Sequence, residues 1–333
     1  MTSKQRACPR APAHPWETLL SLFLTLLITL SLTACASKPP TAAAATARVA
    51  ALKGPTAMGM LKMMSDEPER FSFTIHGTAD EIVAGLQNET MDIAAVPCNL
   101  ASVLYNRTEG GVRAIAVNTR GVLYLLDATG TVHSVSDLRG RTVYSMGLGT
   151  TPEFALNYIL RENGLEPGVD VTVEYKSEAT ELGTLMISGM ADLCVLPEPY
   201  ATTVLSKNES ARVALSLSEE WDRAQPEFGM LTGLVIVRTA FLEAHPDVVD
   251  VFLTDYRASV DYINAHIPEG AQLAAQYEIA PAEVAEAALP RCNIICLTGK
   301  DMRRNLEGYL GVLFAADPKS VGGSLPDEGF YAE

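Results

Sequence analysis

Glu198 stands between two prolines in Leu196-Pro197-Glu198-Pro199-Tyr200. A carboxylate fixed there either partners an amine or a heterocycle N–H, or remains a solvated loop group. Thr56 follows Gly54-Pro55, and Thr150 and Thr151 lie between Gly147-Leu148-Gly149 and Pro152-Glu153. Each threonine falls where the pattern predicts the start of a helix, so its hydroxyl sits beside free backbone N–H groups. That arrangement seats an anion or a carboxylate, and it serves equally as plain N-capping. Glu153, in the first turn, already satisfies part of that positive end, which argues against a strong anion site. His76 offers a stacking or hydrogen-bonding ring, or is a capped loop residue, and Met58 offers a soft apolar wall. Cys98, Asn99, Asn118 and Tyr200 add a thiol, two amides and a hydroxyl close to predicted strand ends.

These residues share a site only if the elements between them bring strand ends together, and the chain alternates strand and helix twice. Val49 to Leu52 reads as a strand, Ala57 to Ser65 as a Met-rich helix and Phe71 to Ile75 as a strand. Thr78-Ala79-Asp80-Glu81 reads as a capping box opening a helix to about Asn88, and Asp92 to Val96 as a strand closed by Pro97. The same order returns from Thr142: strand to Met146, helix to about Asn163, strand Val171 to Tyr175, helix Glu178 to Ser188, strand Asp192 to Leu196, then Pro197. Even the endings correspond, Met91-Asp92-Ile93-Ala94-Ala95-Val96-Pro97 against Ala191-Asp192-Leu193-Cys194-Val195-Leu196-Pro197. Two such units predict two α/β lobes, each a mostly parallel sheet flanked by helices.

Val112 to Asn118 and Val122 to Leu126 read as strands, Ala211 to Glu227 as helical and partly irregular, and Leu234 to Val237 as a return strand. Helices then fill Asp247 to His266, Gln272 to Ile279, Ala282 to Ala288 and Asp301 to Ala315. The chain therefore crosses between lobes twice, near residues 119–122 and 229–234, a two-segment hinge of the kind that closes a clamshell. Lobe one takes residues 48–120 plus 232–333, and lobe two residues 121–231. Ligands of open α/β sheets sit off the carboxyl ends of the strands, which gathers the residues above around one cleft.

The first residues read as an address. Lys4, Arg6 and Arg10 precede an apolar run from Leu19 to Leu32, too short to span a bilayer and of signal-peptide length. Leu32-Thr33-Ala34-Cys35 then resembles the bacterial lipoprotein signal. The resemblance implies a signal peptide over residues 1–34, lipidation of Cys35 and a flexible tether over residues 35–47, of which Ser37 to Ala47 is SKPPTAAAATA.

Composition limits the rest. Of 333 residues, 48% are hydrophobic and 20% charged, so the chain can bury a core and is not globally disordered. The net charge of −15 opposes nucleic-acid binding. The five histidines are scattered, with no H-E-x-x-H, so a zinc hydrolase is not indicated. Cys98, Cys194, Cys292 and Cys296 are expected to be buried thiols. There is no G-x-S-x-G, and Gly147-x-Gly149 lacks the third glycine of a dinucleotide loop.

Ser136-Asp137-Leu138-Arg139-Gly140-Arg141-Thr142-Val143 resembles the D-L-[KR]-G-[KR] lead-in of type II periplasmic binding proteins. Gly149-Thr150-Thr151 falls at their second-lobe ligand loop. Ser188-Gly189-Met190-Ala191-Asp192 followed by Pro197-Glu198-Pro199-Tyr200 is similar to their G-x-x-D-A … E-P segment. Gly233 to Arg238, then Phe241-Leu242 and His245-Pro246, fit the return strand. In order and spacing, over about residues 48–315, these resemble the nitrate/sulfonate/taurine and thiamine-pyrimidine branch of ABC-transporter substrate-binding proteins. Leu196 stands where many members carry an aromatic.

The resemblance implies a two-lobe clamshell and capture of a small solute for an ABC permease and its ATPase. It implies no catalysis and no cofactor or metal. The partners expected are the solute, the permease and, through the lipid anchor, the membrane; the protein is expected to be a monomer. Enzymes share the fold, and Cys98, His76 and Glu198 converging would suit one; a sensor without a permease is a further alternative. Lys53, Arg120 and Lys176 flank the cleft residues, but no Arg or Lys stands at their centre. That favours a neutral or mixed-polarity molecule, heterocycles included, over nitrate or a sulfonate.

Overall fold

The structure is a computed structural model, and it describes residues 46–66 and 70–332. The signal peptide, Cys35 and most of the tether lie outside the described residues. In chain order the elements are β1 (Ala47–Leu52), α1 (Pro55–Met58), α2 (Leu61–Asp66), β2 (Phe71–His76), α3 (Ala79–Gln87), β3 (Ile93–Pro97) and α4 (Cys98–Arg107). Then come β4 (Val112–Arg120), β5 (Leu123–Asp127), β6 (Thr142–Met146), α5 (Thr151–Glu162), β7 (Thr172–Lys176), α6 (Ala179–Ile187), β8 (Leu193–Pro197), α7 (Tyr200–Lys207), β9 (Arg212–Ser216) and α8 (Leu217–Ala224). The chain ends with β10 (Leu231–Arg238), α9 (Thr239–Ala244), α10 (Pro246–Ala265), α11 (Ile267–Gln276), α12 (Ala282–Ala288), β11 (Ile294–Leu297) and α13 (Gly299–Ala316).

The strands form two sheets, ordered β11-β4-β10-β3-β1-β2 and β7-β6-β8-β5-β9. The repeated unit is plain in the topology. Strands β3-β1-β2 are parallel to one another, and so are β8-β6-β7. The middle strands are apolar on both faces because helices cover both: β3 and β8 are buried from Ile93 to Val96 and from Leu193 to Leu196. The outer strands β2 and β7 alternate exposed and covered residues, as edges do.

The sheets are the expected α/β lobes, mostly of one strand direction and mixed where the chain returns. In the first sheet β10 and β11 run against β1–β4, and in the second β5 alone runs against β6–β9. The reason is the crossing. A strand arriving from the opposite sheet runs away from the gap, whereas β1 and β3 run toward it. Between β4 and β5 only Gly121 and Val122 intervene, so β4 leads straight out of the first sheet and β5 enters the second running away from the gap.

Three local readings also change. Residues 212–216, expected to be helical, form β9, and the Ser216 hydroxyl then caps α8 by accepting from Glu219 N at 3.4 Å. The Met-rich helix breaks at Gly59, where a Cβ would lie 2.7 Å from the Tyr256 hydroxyl. Thr78 is the N-cap of α3 without a side-chain bond, because Glu81 turns to His76 instead.

The core runs on from one sheet to the other. Trp221 of α8 is fully buried, with ring centres 4.5 Å from Tyr158 of α5 and 5.2 Å from Tyr309 of α13. A second tie is polar. Glu198, 0% exposed at the end of β8, accepts Arg291 Nε at 2.6 Å on one oxygen and the Thr202 backbone N–H at 3.1 Å on the other. Arg291 Nη2 reaches the Thr202 hydroxyl at 2.5 Å, and the Arg291 carbonyl accepts from the Tyr124 hydroxyl at 3.0 Å. Two residues on, Asn293 Nδ2 donates to Gly121 O at 2.6 Å. The turn at 289–293 packs with the first sheet, so it connects the sheets beside the two covalent crossings.

Removing one partner of a buried ion pair leaves the other charge stranded. Arg291→Met should therefore lower unfolding free energy by about 3 kcal/mol or more in urea melts. Glu198→Leu combined with Arg291→Met should recover most of that loss; a double variant no better than Arg291→Met would refute the pairing.

Asp127, at the end of β5, gives a pH signature. Burial pushes its pKa up. The Thr129 hydroxyl, the backbone N–H groups of Val132 and Thr129 and the Arg212 guanidinium outweigh that and bring it down to about 2. A depressed carboxylate stabilises the fold above its unfolded pKa and loses that contribution as pH falls through the folded value. Asp127→Asn should cost about 2 kcal/mol at pH 7, and the gap to the parent should shrink between about pH 4 and pH 2. A gap independent of pH in that window would contradict this account.

Candidate functional site

The parallel strands of each sheet point their carboxyl ends at the other sheet, so α4 and α5 begin where the sheets meet. Asn99, the second residue of α4, and Thr151, the first of α5, are each 3% exposed and in contact. The Thr151 hydroxyl donates to Asn99 Oδ1 at 3.2 Å, and Asn99 Nδ2 donates to Ser320 O at 3.3 Å. This is a direct bond between loops of opposite sheets, made by two of the residues the sequence singles out.

Two further groups converge there. Cys98 begins α4 with no exposed surface, and burial pushes its thiol pKa far up, away from the thiolate. Tyr309 of α13 is also fully buried. Its hydroxyl pKa is raised by burial and by the neighbouring Cys98, with Thr151 acting in the opposite sense. The Tyr309 hydroxyl lies beside Thr151 but meets no partner at good hydrogen-bond geometry. A buried hydroxyl without a partner costs about 1–3 kcal/mol, so a group able to pair with it there would be favoured.

The structure uses the other candidates differently. Asn118 is buried and holds the turn after β1, with Nδ2 donating to Thr56 O at 3.0 Å, while its Oδ1 accepts from the Thr119 hydroxyl at 3.1 Å. Thr56 thus contributes a carbonyl to that contact, and Gly54 rather than Thr56 is the N-cap of the short α1. Met58 is 0% exposed in the apolar core under the first sheet, so it does not offer the free wall expected of it.

His76 spends both ring nitrogens, on Glu81 at 2.9 Å and on the Thr74 hydroxyl at 3.0 Å. Thr150 is the N-cap of α5 by position, but its hydroxyl donates back to Gly147 O at 2.6 Å. Gly147 and Gly149, with φ of 72° and 76°, turn this loop through a region that side chains disfavour. Glu153 accepts from Gly149 N at 2.5 Å, as its first-turn position predicts. Glu198 holds Arg291, and Tyr200 is half-buried at the start of α7 with its hydroxyl pKa raised by burial and then by Glu178. Cys98, His76 and Glu198 are each committed to different surroundings and form no acid–base cluster.

Sequence reasoning misses Arg291, Tyr309 and Ser320. Arg291 lies 93 residues from Glu198, and nothing local marks it. Tyr309 sits on an apolar helix stripe like any core tyrosine. The four thiols outside the address segment are unpaired; Cys98, Cys194 and Cys292 are buried and Cys296, on β11, is only half so. Among the described residues no three His, Cys, Asp or Glu side chains gather as a metal site would need. No described helix is long and apolar enough to cross a membrane.

Comparison with known proteins bears on this geometry. Residues 112–271 match the family model described as NMT1/THI5 like. No curated protein matches the chain by sequence. Among solved structures, an ABC transporter protein from Parabacteroides distasonis is 24% identical with a TM-score of 0.74, over 86% of this chain and 99% of that one. The periplasmic aliphatic sulphonate binding protein SsuA of Escherichia coli is 15% identical with a TM-score of 0.69, over 86% of this chain and 92% of that one. The periplasmic nitrate-binding protein NrtA of Synechocystis is 12% identical with a TM-score of 0.59, over 83% and 84%. The chain therefore has the two-lobe fold of the periplasmic binding proteins, with an NMT1/THI5-like match across its second sheet and the return into the first.

Proposed function

We propose that this protein is the extracytoplasmic solute-binding component of an ABC-type importer. It takes a small organic solute, neutral or of mixed polarity and with heterocycles included, between its two sheets and passes it to a permease driven by an ATPase. Lobe one is residues 48–120 plus 232–333, lobe two is residues 121–231, and the two crossings are the hinge. Cys35 carries the lipid that holds a monomeric body at the membrane through the tether, and no cofactor is required.

The observation that carries this reading is the unpartnered Tyr309 hydroxyl beside the Asn99–Thr151 bond. Three neutral polar groups from both sheets meet in a dry place, with hydrogen-bonding capacity left over. Such a place discriminates by leaving the wrong molecule's groups unpaired. It does not favour a catalyst: the Cys98 thiol is held protonated, His76 is bound to Glu81 and Glu198 is bound to Arg291. The SsuA and NrtA folds support the importer reading, since those proteins bind sulphonates and nitrate outside the cytoplasm.

The test is a thermal-shift panel of pyrimidines, other heterocycles, amino acids, sulfonates, nitrate and bicarbonate, followed by titration calorimetry of each hit. Tyr309→Phe should leave the free protein as stable as the parent or slightly more so, because it removes an unpaired hydroxyl. The same change should weaken the bound solute about tenfold, a loss of about 1.4 kcal/mol, and Thr151→Val should do likewise. A solute whose affinity ignores both changes, or one that is chemically consumed, would overturn the assignment.

A further inference from the structure

A hollow of about 480 Å³ opens between the two crossings and α13. It shares no residue with the Asn99–Thr151 contact. Arg120 from the end of β4, Asp222 of α8 and Glu227 just after it, and Asp301 and Arg304 from the first turns of α13 place their charges around it. Phe228 and Leu297 give it apolar wall. The volume is that of a small-molecule site.

Its walls are fixed. The Phe228 carbonyl accepts from Trp221 Nε1 at 3.3 Å, and its ring packs so closely on Gly308 that a Cβ there would fall 2.3 Å from a ring carbon. Gly229 forms a bare floor. Arg120 Nη1 and Asp222 Oδ1 each stand 3.6 Å from where a Gly229 Cβ would be, yet they form no salt bridge within 4.0 Å. Arg304 likewise forms no salt bridge among the described residues. Opposite charges thus face one space without closing it. Partial burial raises the Asp222 carboxyl pKa, Arg120 opposes that and Glu219 adds to it, so a second cation near Asp222 would be welcome.

A lone anion here meets three carboxylates, and a lone cation meets two guanidiniums. A molecule carrying both charges pairs with both sets, while the wrong single-charge ligands are repelled. We propose that this hollow is a second binding site, for a zwitterion of amino-acid size whose carboxylate meets Arg120 and Arg304 and whose ammonium meets Asp222 and its acidic neighbours. Its walls come from both crossings, so the site is part of the hinge itself.

The experiment is titration calorimetry of the purified full chain with L-norvaline and 4-aminobutyrate, with butyrate and butylamine as single-charge controls. At least one zwitterion should saturate with a Kd of about 1 mM or tighter, and both controls should bind at least about tenfold more weakly. Arg304→Gln and Asp222→Asn change exposed side chains and should each weaken the zwitterion about tenfold. Gly229→Ala, whose methyl meets its neighbours only at ordinary contact distance, should weaken it too without lowering the melting temperature. Thr151→Val should leave it unchanged. The proposal is overturned if neither zwitterion binds, if the controls bind as well, if the three hinge variants titrate like the parent, or if Thr151→Val abolishes the signal and so places it between the sheets.

Discussion

Everything in this molecule follows from two sheets aiming the carboxyl ends of their parallel strands at each other. Helices begin at those ends, so free N–H groups, loop carbonyls and short polar side chains collect in one gap, where water is scarce. Each must find a partner on its own side or across the gap, or remain unsatisfied. The Asn99–Thr151 bond, the Asn118 grip on the Thr56 carbonyl and the Arg291–Glu198 pair answer that demand. Among the described residues Tyr309 and Ser218 are hydroxyls left without an answer. Binding capacity in such a fold is the polar valence that the protein does not use on itself.

How much of this was legible depends on whether the cause is local. The repeated strand and helix order, and the matching ends at Pro97 and Pro197, are written in hydrophobic pattern and turn residues, which act over a few positions. They placed β3 and β8 to within a residue. β9 was missed because Arg212 to Ser216 is short and half-exposed, and its strand character comes from lying beside β5. The direction of β5 and β10 is likewise not written locally: strand polarity in a sheet is a tertiary fact, fixed here by the side from which the chain arrives.

The site shows the division more sharply. Residue type and proximity to strand ends single out Asn99 and Thr151 among others, and topology brings α4 and α5 together so that these two touch. Neither clue says how a side chain spends its bonds. Glu198 has the setting of an open loop carboxylate, but a buried carboxylate must have a counter-charge, and Arg291 supplies it from a distant turn. Met58 sits one turn from the gap, and close approach of α10 through Gly59 and Tyr256 draws that segment into the core instead.

The same pairing would constrain the proposed hinge motion. Parting the sheets at β8 would expose Glu198 and separate it from Arg291. That cost is modest if water reaches both charges at once, and large if one remains buried. Arg291 is 36% exposed in its side chain and Glu198 not at all, so hydration would have to reach the arginine first. Closure is therefore favoured by a contact the protein makes with itself, and opening must be favoured elsewhere. The unsatisfied Tyr309 hydroxyl is one such term, since opening would hydrate it. On the proposed reading, a solute that paired with Tyr309 would remove that reason to open while leaving the Arg291–Glu198 bond in place. Ligand and latch would then act in the same direction, with affinity set by the balance between them rather than by the ligand's contacts alone.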